Sequence, residues 1–297
     1  MNDTARNCLQ ATIKKIEGAY APSTIRAYKS NFETFIKFCD ENNTTALPAS
    51  TEIVATYIKK LSTHLKSSSI KIAIASIAAL HNFNSLKNPI QNPDVKIEMR
   101  RMYRKLGRYA KQAYGINKHL LDKMLAATDN SLRGVRDKAI ILVAYDSLFR
   151  RSELISLNVE NLILDHDDGT IKLRLSKSKT DPLALGRWLH LSDESKLALK
   201  NWLNLSKIKN GKLFRSISPS GNINNNFDAP QINRIYKRMA KLAGADDSVR
   251  RNISSHSTRV GCAQGLMSSG TSLPIIMNRG RWSKTDTVMR YIEGINL

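Results

Sequence analysis

Apolar residues recur at a helical period along most of this chain, and this periodicity most restricts the folds open to it. Over residues 22–39 they stand at i, i+3, i+4 and i+7, the pattern of an amphipathic helix. Residues 170–175 alternate as a half-buried strand does, and residues 187–191 return as its partner. The sequence therefore predicts a mainly α fold with one small antiparallel β-sheet.

The helical segments fall into two groups separated by a short polar stretch. A chain of 297 residues is long enough for two ordinary domains. Residues 107–115 begin and end with glycine and read as a linker. We predict a flexible N-terminal segment over residues 1–20, an all-helical bundle over 21–113, and a mixed, mostly helical domain with the small sheet over 114–297.

The chain is strongly basic, with 47 lysines and arginines against 25 aspartates and glutamates and a net charge of +22 at pH 7. Both predicted domains share the excess, so it is not a basic tail. Such a surplus is typical of a protein that binds a polyanion such as nucleic acid. The alternative is a soluble protein that is merely basic.

Cysteine and histidine usage gives no sign of a disulfide framework or a metal site. The three cysteines form no CxxC pair, and the six histidines show no HxH or HxxxH spacing. The N-terminus has no apolar signal region, and no run of 18 apolar residues occurs. We therefore expect a cytoplasmic protein with neither disulfides nor a structural zinc site.

The last third of the chain carries residues suited to work on a phosphate. His256 and Arg259 are three residues apart, and Trp282 and Tyr291 follow. Arginine binds phosphate oxygens with two parallel hydrogen bonds, and histidine moves protons near neutral pH. Tyrosine becomes a covalent nucleophile when a neighbour activates its hydroxyl. Taken singly, each residue is more often structural, so only the ordered set carries the argument.

Further motifs extend that set toward the middle of the chain. The sequence Ser147-Leu-Phe-Arg150-Arg-Ser-Glu153 follows an apolar run, and Lys177-Ser-Lys179 lies in a predicted turn between the strands. With His256-Ser-Thr-Arg259, Gly280-Arg-Trp282 and Val288-Met-Arg-Tyr291, this order resembles the tyrosine recombinase (phage integrase) family, and most closely the Cre-type site-specific recombinases. The resemblance covers nearly the whole chain.

The resemblance implies a DNA strand transferase that needs neither ATP nor metal. It implies that Tyr291 attacks a scissile phosphate, forms a 3′-phosphotyrosyl link and releases a 5′-hydroxyl. Arg150 and Arg259 would bind the phosphate oxygens, with Arg151 as a weaker alternative to Arg150. In the same way Lys179 would be the general acid and His256 the proton acceptor. Trp282 would donate its indole N–H, and Glu153 would orient the neighbouring cationic groups.

The family also implies a DNA clamp, with the helical bundle as its core-binding part. The expected partner is double-stranded DNA with inverted repeats, bound by a homotetramer on two sites, a dimer per site, with strand exchange through a Holliday junction. A bacterial, phage or plasmid source and nucleoid association follow from the same resemblance. Candidate DNA contacts are Arg26, Lys29, Lys71, Arg100, Arg101 and Arg104 in the first domain, and Arg215, Gln231, Arg234 and Arg251 in the second.

Three other interpretations remain open from the sequence. The chain could be a basic DNA-binding regulator without catalysis, a type IB topoisomerase or telomere resolvase with the same chemistry, or an integrase that also binds arm sites. The absence of a domain before residue 20 argues against the last. One departure from the Cre-type pattern is that only six residues follow Tyr291, where those proteins continue into a helix that docks on a neighbouring subunit. Either the chain is truncated or its subunits couple differently.

Overall fold

A computed structural model describes residues 2–108, 112–164, 171–175 and 186–292. The chain divides into two compact units, Met1–Lys111 and Gln112–Leu297. This division lies two residues before the one that the sequence predicted. The fold is mainly helical with small antiparallel sheets, which confirms the predicted fold class. In the described part of the chain, no helix has both the length and the apolar character needed to cross a membrane.

The first unit is an all-helical bundle. Its helices are α1 Asp3–Ile16, α2 Pro22–Glu41, α3 Thr51–Leu61, α4 Ser67–Phe83 and α5 Pro93–Leu106. The core is formed by apolar residues of all five helices, with Phe32, Phe35 and Ile58 fully buried. The aromatic rings of α2 and α3 pack on one another, because Phe35 and Tyr57 lie with ring centroids 5.1 Å apart.

Helix α1 differs from the flexible segment expected over residues 1–20. Ala5 and Leu9 are buried in the core of the first unit, and Ile16 is buried further along the same stripe of the helix. The Asn2 side chain donates to Asp40 Oδ1 (2.7 Å) and to the carbonyl oxygen of Thr44 (3.0 Å), which anchors the start of α1. The burial of this stripe was not predicted, because small and polar residues make up half of it and its apolar periodicity is therefore weak.

The second unit places its helices around a long buried helix. Its helices are α6 Lys118–Ala126, α7 Leu132–Asp146, α8 Arg151–Ser156, α9 Asp193–Ser206, α10 Ala229–Leu242, α11 Asp247–Asn252, α12 Ser257–Ser268, α13 Leu273–Gly280 and α14 Thr285–Ile292. Helix α7 is buried along nearly its whole length and packs against α9 and α12. Its C-terminal end therefore leads directly from the core to the residues of the candidate site.

A three-stranded antiparallel sheet lies in the same unit. Strands β1 Leu162–Leu164, β2 Ile171–Leu175 and β3 Arg187–Leu189 are arranged in chain order, and Leu173 stands opposite both Leu162 and Leu189. The alternation predicted for β2 is present, with Ile171, Leu173 and Leu175 buried. A second, two-stranded sheet is formed by β4 Ser216–Ile217 and β5 Ile223–Asn224.

Candidate active site

The turn between α7 and α8 presents Arg150. Leu148 adopts a left-handed backbone conformation with φ of 47°, which ends α7 and turns the chain. Arg150 is the N-cap residue of α8, and Glu153 lies in the first turn of that helix. The Glu153 carboxylate accepts from the Arg150 backbone N–H (2.9 Å) and from Arg150 Nη1 (2.7 Å). The Arg150 guanidinium is therefore held beside the N-terminus of α8, with a quarter of its side chain exposed.

Helix α12 supplies Arg259 from its first turn. The side chain is 1% exposed, and its Nη2 donates to the carbonyl oxygen of Gly280 (3.2 Å), while Nη1 donates to that of Leu148. The guanidinium lies over the Trp282 ring, 4.7 Å from its centroid. The Nε–H is buried and has no hydrogen-bond partner among the described residues. A buried cationic donor without a partner is suited to an incoming anion.

Trp282 and Tyr291 form an aromatic pair beside that guanidinium. The two ring centroids are 5.3 Å apart, with planes inclined at 38°. Trp282 packs directly on Gly280, where a Cβ would overlap the indole ring. Tyr291 lies on α14, whose Val288 and Ile292 are buried, and Gln112 Nε2 donates to the Tyr291 carbonyl oxygen (3.1 Å). The half-buried Tyr291 ring thus borders the indole that covers Arg259.

Positive charge dominates the electrostatics of the site. Burial lowers the pKa of Arg259 to about 10, and the nearby guanidinium groups of Arg150 and Arg281 act in the same direction. Burial alone would raise the pKa of Glu153, but Arg281 and Arg150 outweigh it, and that pKa falls below its ordinary value. Glu153 is therefore ionised at neutral pH, and the site keeps a net positive charge.

His256 stands immediately before α12, next to the same charges. The residue as a whole is exposed, yet neighbouring protein desolvates its ring. This desolvation lowers the pKa of His256 below 6.5, and Arg259, Arg151 and Arg150 lower it further. The imidazole is consequently neutral at pH 7 and able to accept a proton.

The structure brings most of the predicted catalytic set together. Arg150, Glu153, Arg259, Trp282 and Tyr291 are linked by the contacts given above, and His256 joins them through the electrostatic effect of Arg259 and Arg150. Lys179, the remaining member, lies outside the described residues. The alternative arginine, Arg151, is exposed, whereas Arg150 pairs with Glu153.

Arg281 is a member of this cluster for which the sequence motifs predicted no role. Its side chain is buried, pairs with Glu153 Oε2 (3.0 Å) and lies over the Phe149 ring at 5.4 Å. Sequence offered one signal, an arginine between Gly280 and Trp282 in the quoted motif, but no local rule connects that position with Glu153. Only the fold brings together two residues so far apart in the chain.

The candidate DNA contacts differ in how free their side chains are. Those of the first unit are all exposed, although Arg101 also pairs with Glu98 (3.1 Å). In the second unit Arg234 and Arg251 are exposed and Gln231 is half-buried. Arg215 donates to Asn225 Oδ1 (2.8 Å) and to the carbonyl oxygens of Asn210 (2.6 Å) and Lys212 (3.0 Å). The Arg215 guanidinium is therefore engaged in hydrogen bonds with neighbouring loop residues of its own unit.

No group of three or more histidine, cysteine, aspartate or glutamate side chains able to hold a metal ion lies in the parts of the chain that the structure describes. The donors gathered at the site are arginine, histidine, indole and phenol groups. Such a set binds an anion rather than a cation.

Two family profiles match the chain. The profile described as the Phage integrase family matches residues 115–294, and the one described as Phage integrase, N-terminal SAM-like domain matches residues 14–87. The first alone spans more than half of the chain and contains every described residue of the candidate catalytic set. The chain therefore belongs to the phage integrase family.

Individual relatives narrow the class of enzyme. The chain is 28% identical over 298 residues to the integrase/recombinase xerD homolog of Selenomonas ruminantium, covering 96% of this chain and 85% of that protein. It is 26% identical over 295 residues to recombinase cre of Escherichia phage P1, covering 94% and 86%. By class the protein is accordingly a tyrosine-type site-specific recombinase.

Solved structures share the fold. The XerH site-specific recombinase bound to palindromic difH substrate, in a post-cleavage complex, aligns with a TM-score of 0.65 and 14% identity over 95% of this chain and 79% of that chain. A lambda integrase (75–356) dimer bound to a COC′ core site aligns with a TM-score of 0.63 and 13% identity over 98% and 96%. At these identities the likeness concerns the fold alone.

Proposed function

We propose that this recombinase cuts and rejoins DNA strands through a 3′-phosphotyrosyl intermediate formed by Tyr291. The observation that carries the proposal is the contact chain from Tyr291 through Trp282 to the buried guanidinium of Arg259, with its unpartnered Nε–H. A phosphate approached by the Tyr291 hydroxyl would meet Arg259 and Arg150, whose permanent charges stabilise the negative charge that builds on its outer oxygens.

In the proposed cleavage step one bond to phosphorus forms while another breaks, and two side chains move one proton each. The Tyr291 oxygen forms a bond to phosphorus, and the bond from phosphorus to the 5′ oxygen breaks. His256, neutral at pH 7, takes the phenol proton, and Lys179 gives a proton to the departing 5′ oxygen. The 5′-hydroxyl of a partner strand then attacks the same phosphorus and gives its proton to Lys179, while the bond from phosphorus to the Tyr291 oxygen breaks and His256 returns a proton to that oxygen. The energy of the broken bond is kept in the protein–DNA link.

The supporting roles fall to the remaining residues of the site. Trp282 has one indole N–H donor, which suits a non-bridging phosphate oxygen, and its ring shields Arg259 from water. Glu153 holds Arg150 by two hydrogen bonds and acts on the reaction only through it. Glu153 is therefore a positioning residue, and Arg150 touches the substrate.

The partner in this proposal is double-stranded DNA with inverted repeats, recombined by four protomers on two sites through a Holliday junction. Support comes from the excess of 47 basic over 25 acidic residues. It also comes from the shared fold with a recombinase bound to palindromic DNA and with an integrase dimer on a core site. The first unit would bind the duplex with its exposed basic residues, and the second would bind the scissile phosphate.

Covalent trapping tests the chemistry directly. A randomised library of inverted-repeat duplexes, nicked near the centre so that a short 5′-hydroxyl fragment diffuses away, is mixed with the protein and resolved in denaturant. We expect a DNA-linked band for the wild-type protein and for Tyr114→Phe, whose ring is exposed in the same unit. Tyr291→Phe should bind the recovered DNA with unchanged Kd and give no band.

Other outcomes of this experiment identify the alternatives. A band that persists in Tyr291→Phe would show that Tyr291 is not the nucleophile. Sequence-selective binding without any adduct would indicate a DNA-binding regulator. Relaxation of supercoiled plasmid that needs no selected site, and no joining of two sites, would indicate a topoisomerase.

A further inference from the structure

Arg281 occupies a position whose conformation and burial need an explanation. Its backbone is left-handed with φ of 56°, a region that is unfavourable for a non-glycine residue. Its guanidinium is also withdrawn from water, with 4% of the side chain exposed. Because both features cost free energy, the contacts of the side chain must offset them.

Apart from one hydrogen bond to the carbonyl oxygen of Arg279 (3.4 Å), those contacts fall on the turn that carries Arg150 and on the first turn of α8. Arg281 Nη1 donates to the carbonyl oxygen of Ser147 (3.0 Å), and Nη2 donates to that of Leu148 (3.2 Å) and to Glu153 Oε2 (3.0 Å). The guanidinium also lies 5.4 Å from the centroid of the Phe149 ring. One side chain thus binds the backbone of the turn, its aromatic residue and the first turn of α8.

Glu153 passes this contact on to Arg150. Its Oε2 accepts from both Arg281 Nη2 and the Arg150 backbone N–H, while its Oε1 accepts from Arg150 Nη1 at 2.7 Å. The carboxylate therefore has one fixed orientation, with both oxygens engaged. Without Arg281, the buried Glu153 carboxylate would have Arg150 as its only cationic contact among the described residues. Its negative charge would then offset the positive charge of Arg150.

The same side chain is connected to the second phosphate-binding arginine. The carbonyl oxygen of Leu148 accepts from Arg281 Nη2 and from Arg259 Nη1. Trp282, which covers Arg259, is the next residue along the chain. Displacement of Arg281 would therefore disturb the acceptor shared with Arg259 as well as the carboxylate that orients Arg150.

We propose that Arg281 is a positioning residue for DNA cleavage, which orients Arg150 through Glu153 and frees the charge of Arg150 for the scissile phosphate. This inference rests on the function proposed above. In this proposal Arg281 acts through Glu153 and makes no contact with the substrate, so it should affect the rate of adduct formation and leave DNA binding unchanged. Arg281→Gly relieves the left-handed backbone, and Arg281→Lys keeps the charge but loses the two-pronged geometry.

The test measures single-turnover adduct formation at saturating DNA for Arg281→Gly and Arg281→Lys. We expect the rate to fall about 100-fold for Arg281→Gly, the size of effect that a misplaced catalytic group produces. In Arg281→Gly the pKa of Glu153 should rise, because its burial is no longer offset by Arg281. The decrease in rate at acid pH should therefore begin at a higher pH and become steeper. A purely structural role would not shift the pH profile.

Two further variants distinguish the route of action. Arg133→Ala removes a partly buried arginine that binds two carbonyl oxygens, of Ile217 (3.2 Å) and Ser218 (3.0 Å), and should change neither rate nor profile. In a Glu153→Gln background, Arg281→Gly should cost much less than in the wild type, because the shared carboxylate is already lost. A wild-type rate and profile for Arg281→Gly, or full additivity with Glu153→Gln, would overturn the proposal.

The pairing can also be measured without DNA. A double-mutant cycle of Arg281→Lys and Glu153→Gln on urea unfolding should give a coupling between the two positions, whereas Arg133→Ala and Glu153→Gln should be additive. If the wild-type protein formed no adduct, the proposed function would fail while this cycle still tested the contact. Absence of coupling would overturn the inference even where the wild type is active.

Discussion

The carbonyl oxygen of Leu148 explains the unusual backbone of that residue. It accepts from two buried guanidinium groups, those of Arg259 and Arg281. Hydrogen bonds from charged donors are about twice as strong as neutral ones, so two of them offset the roughly 1–2 kcal/mol of a left-handed leucine. The Leu148 side chain is meanwhile fully buried beside Trp282 and Val288. The turn before Arg150 is thus fixed from both its backbone and its side chain.

His256 gives the site a defined response to acid. Its lowered pKa lies below 6.5, so the ring is neutral at pH 7 and becomes protonated only at lower pH. We expect the rate of adduct formation to fall as the pH drops through that pKa, because an imidazolium cannot accept the Tyr291 proton. His256→Gln should slow the reaction at pH 7 by roughly 100-fold and abolish this part of the pH dependence.

The measurement is the single-turnover rate of adduct formation from pH 5 to pH 8. His119→Gln, a change of an exposed histidine on α6, should leave the rate and its pH dependence as in the wild type. If His256→Gln kept the acid fall of the wild type, another group would have to carry the titration, and His256 would not be the proton acceptor.

At this scale the candidate site residues were predictable from the sequence, but the contacts between them were not. Motif order led us to expect Arg150, Glu153, Arg259 and Trp282 near Tyr291, and the structure brings these residues together. The contact of Arg281 with Glu153 joins positions 128 residues apart. No local periodicity or spacing rule reports such a contact, since it depends on how α13 packs beside the end of α7.

Helix α12 is the element that fixes the geometry of the site, and glycine makes its packing possible. At Gly261 a Cβ would overlap the carbonyl oxygen of Ile116, because residues 115–117 cross the helix there. The crossing segment is bonded to the start of α12, with the Ile116 N–H donating to the Ser257 carbonyl oxygen (2.9 Å). The position of Arg259, two residues earlier on the same helix, depends on this close approach.

Gly261→Ala should therefore destabilise the second unit even though alanine favours helix formation. Forcing a methyl group into a packed contact costs about 1–3 kcal/mol, more than the gain of about 1 kcal/mol in helix propensity. Gly265→Ala is the matched control on the same helix, because its Cβ would meet only the Tyr145 hydroxyl at an ordinary 3.4 Å.

Urea unfolding of the two variants measures the difference. We expect a lower midpoint for Gly261→Ala and an unchanged or higher midpoint for Gly265→Ala. Equal midpoints for Gly261→Ala and the wild type would mean that residues 115–117 move aside without loss of stability. The close approach of this segment would then not fix the position of α12.

Elements with strong periodicity were predictable, and those with weak signals were not. Helix α2 combines a proline in its first turn with a long apolar stripe, and strand β2 alternates cleanly, so both followed from sequence rules. The burial of helix α1 did not, because Ala5 and Thr12 replace large apolar residues in its stripe. Strand β1 has three residues, which are too few to show an alternating pattern in the sequence.

Over the whole molecule, the dominant physical property is a net charge of +22 that both units share. Cationic side chains that neutralise DNA phosphates release bound counterions, so the affinity for DNA falls as the salt concentration rises. Each phosphate contact lowers the logarithm of the association constant by about 0.9 per tenfold increase in salt. In the first unit Arg100 and Arg104 are exposed on α5, whereas Arg101 pairs with Glu98 at 3.1 Å. The three neighbours should therefore contribute unequally.

We expect Arg104→Ala to weaken DNA binding and to reduce the slope of log Kd against log salt by about 1, the effect of one lost phosphate contact. Arg101→Ala should reduce the slope less, because its charge is partly offset by Glu98. Lys60→Ala is the control, since Nζ of Lys60 pairs with Glu41 at 2.9 Å and it is not a proposed contact.

Kd measured by fluorescence anisotropy at several salt concentrations separates two accounts of the charge. A slope that falls only for the exposed arginines of α5 means that specific side chains lie along the DNA backbone. A slope that falls equally for Lys60→Ala means that the molecule attracts DNA through its overall field, and α5 would then have no special part in binding. Because Lys60→Ala and Arg104→Ala each remove one positive charge, net charge alone cannot make them differ.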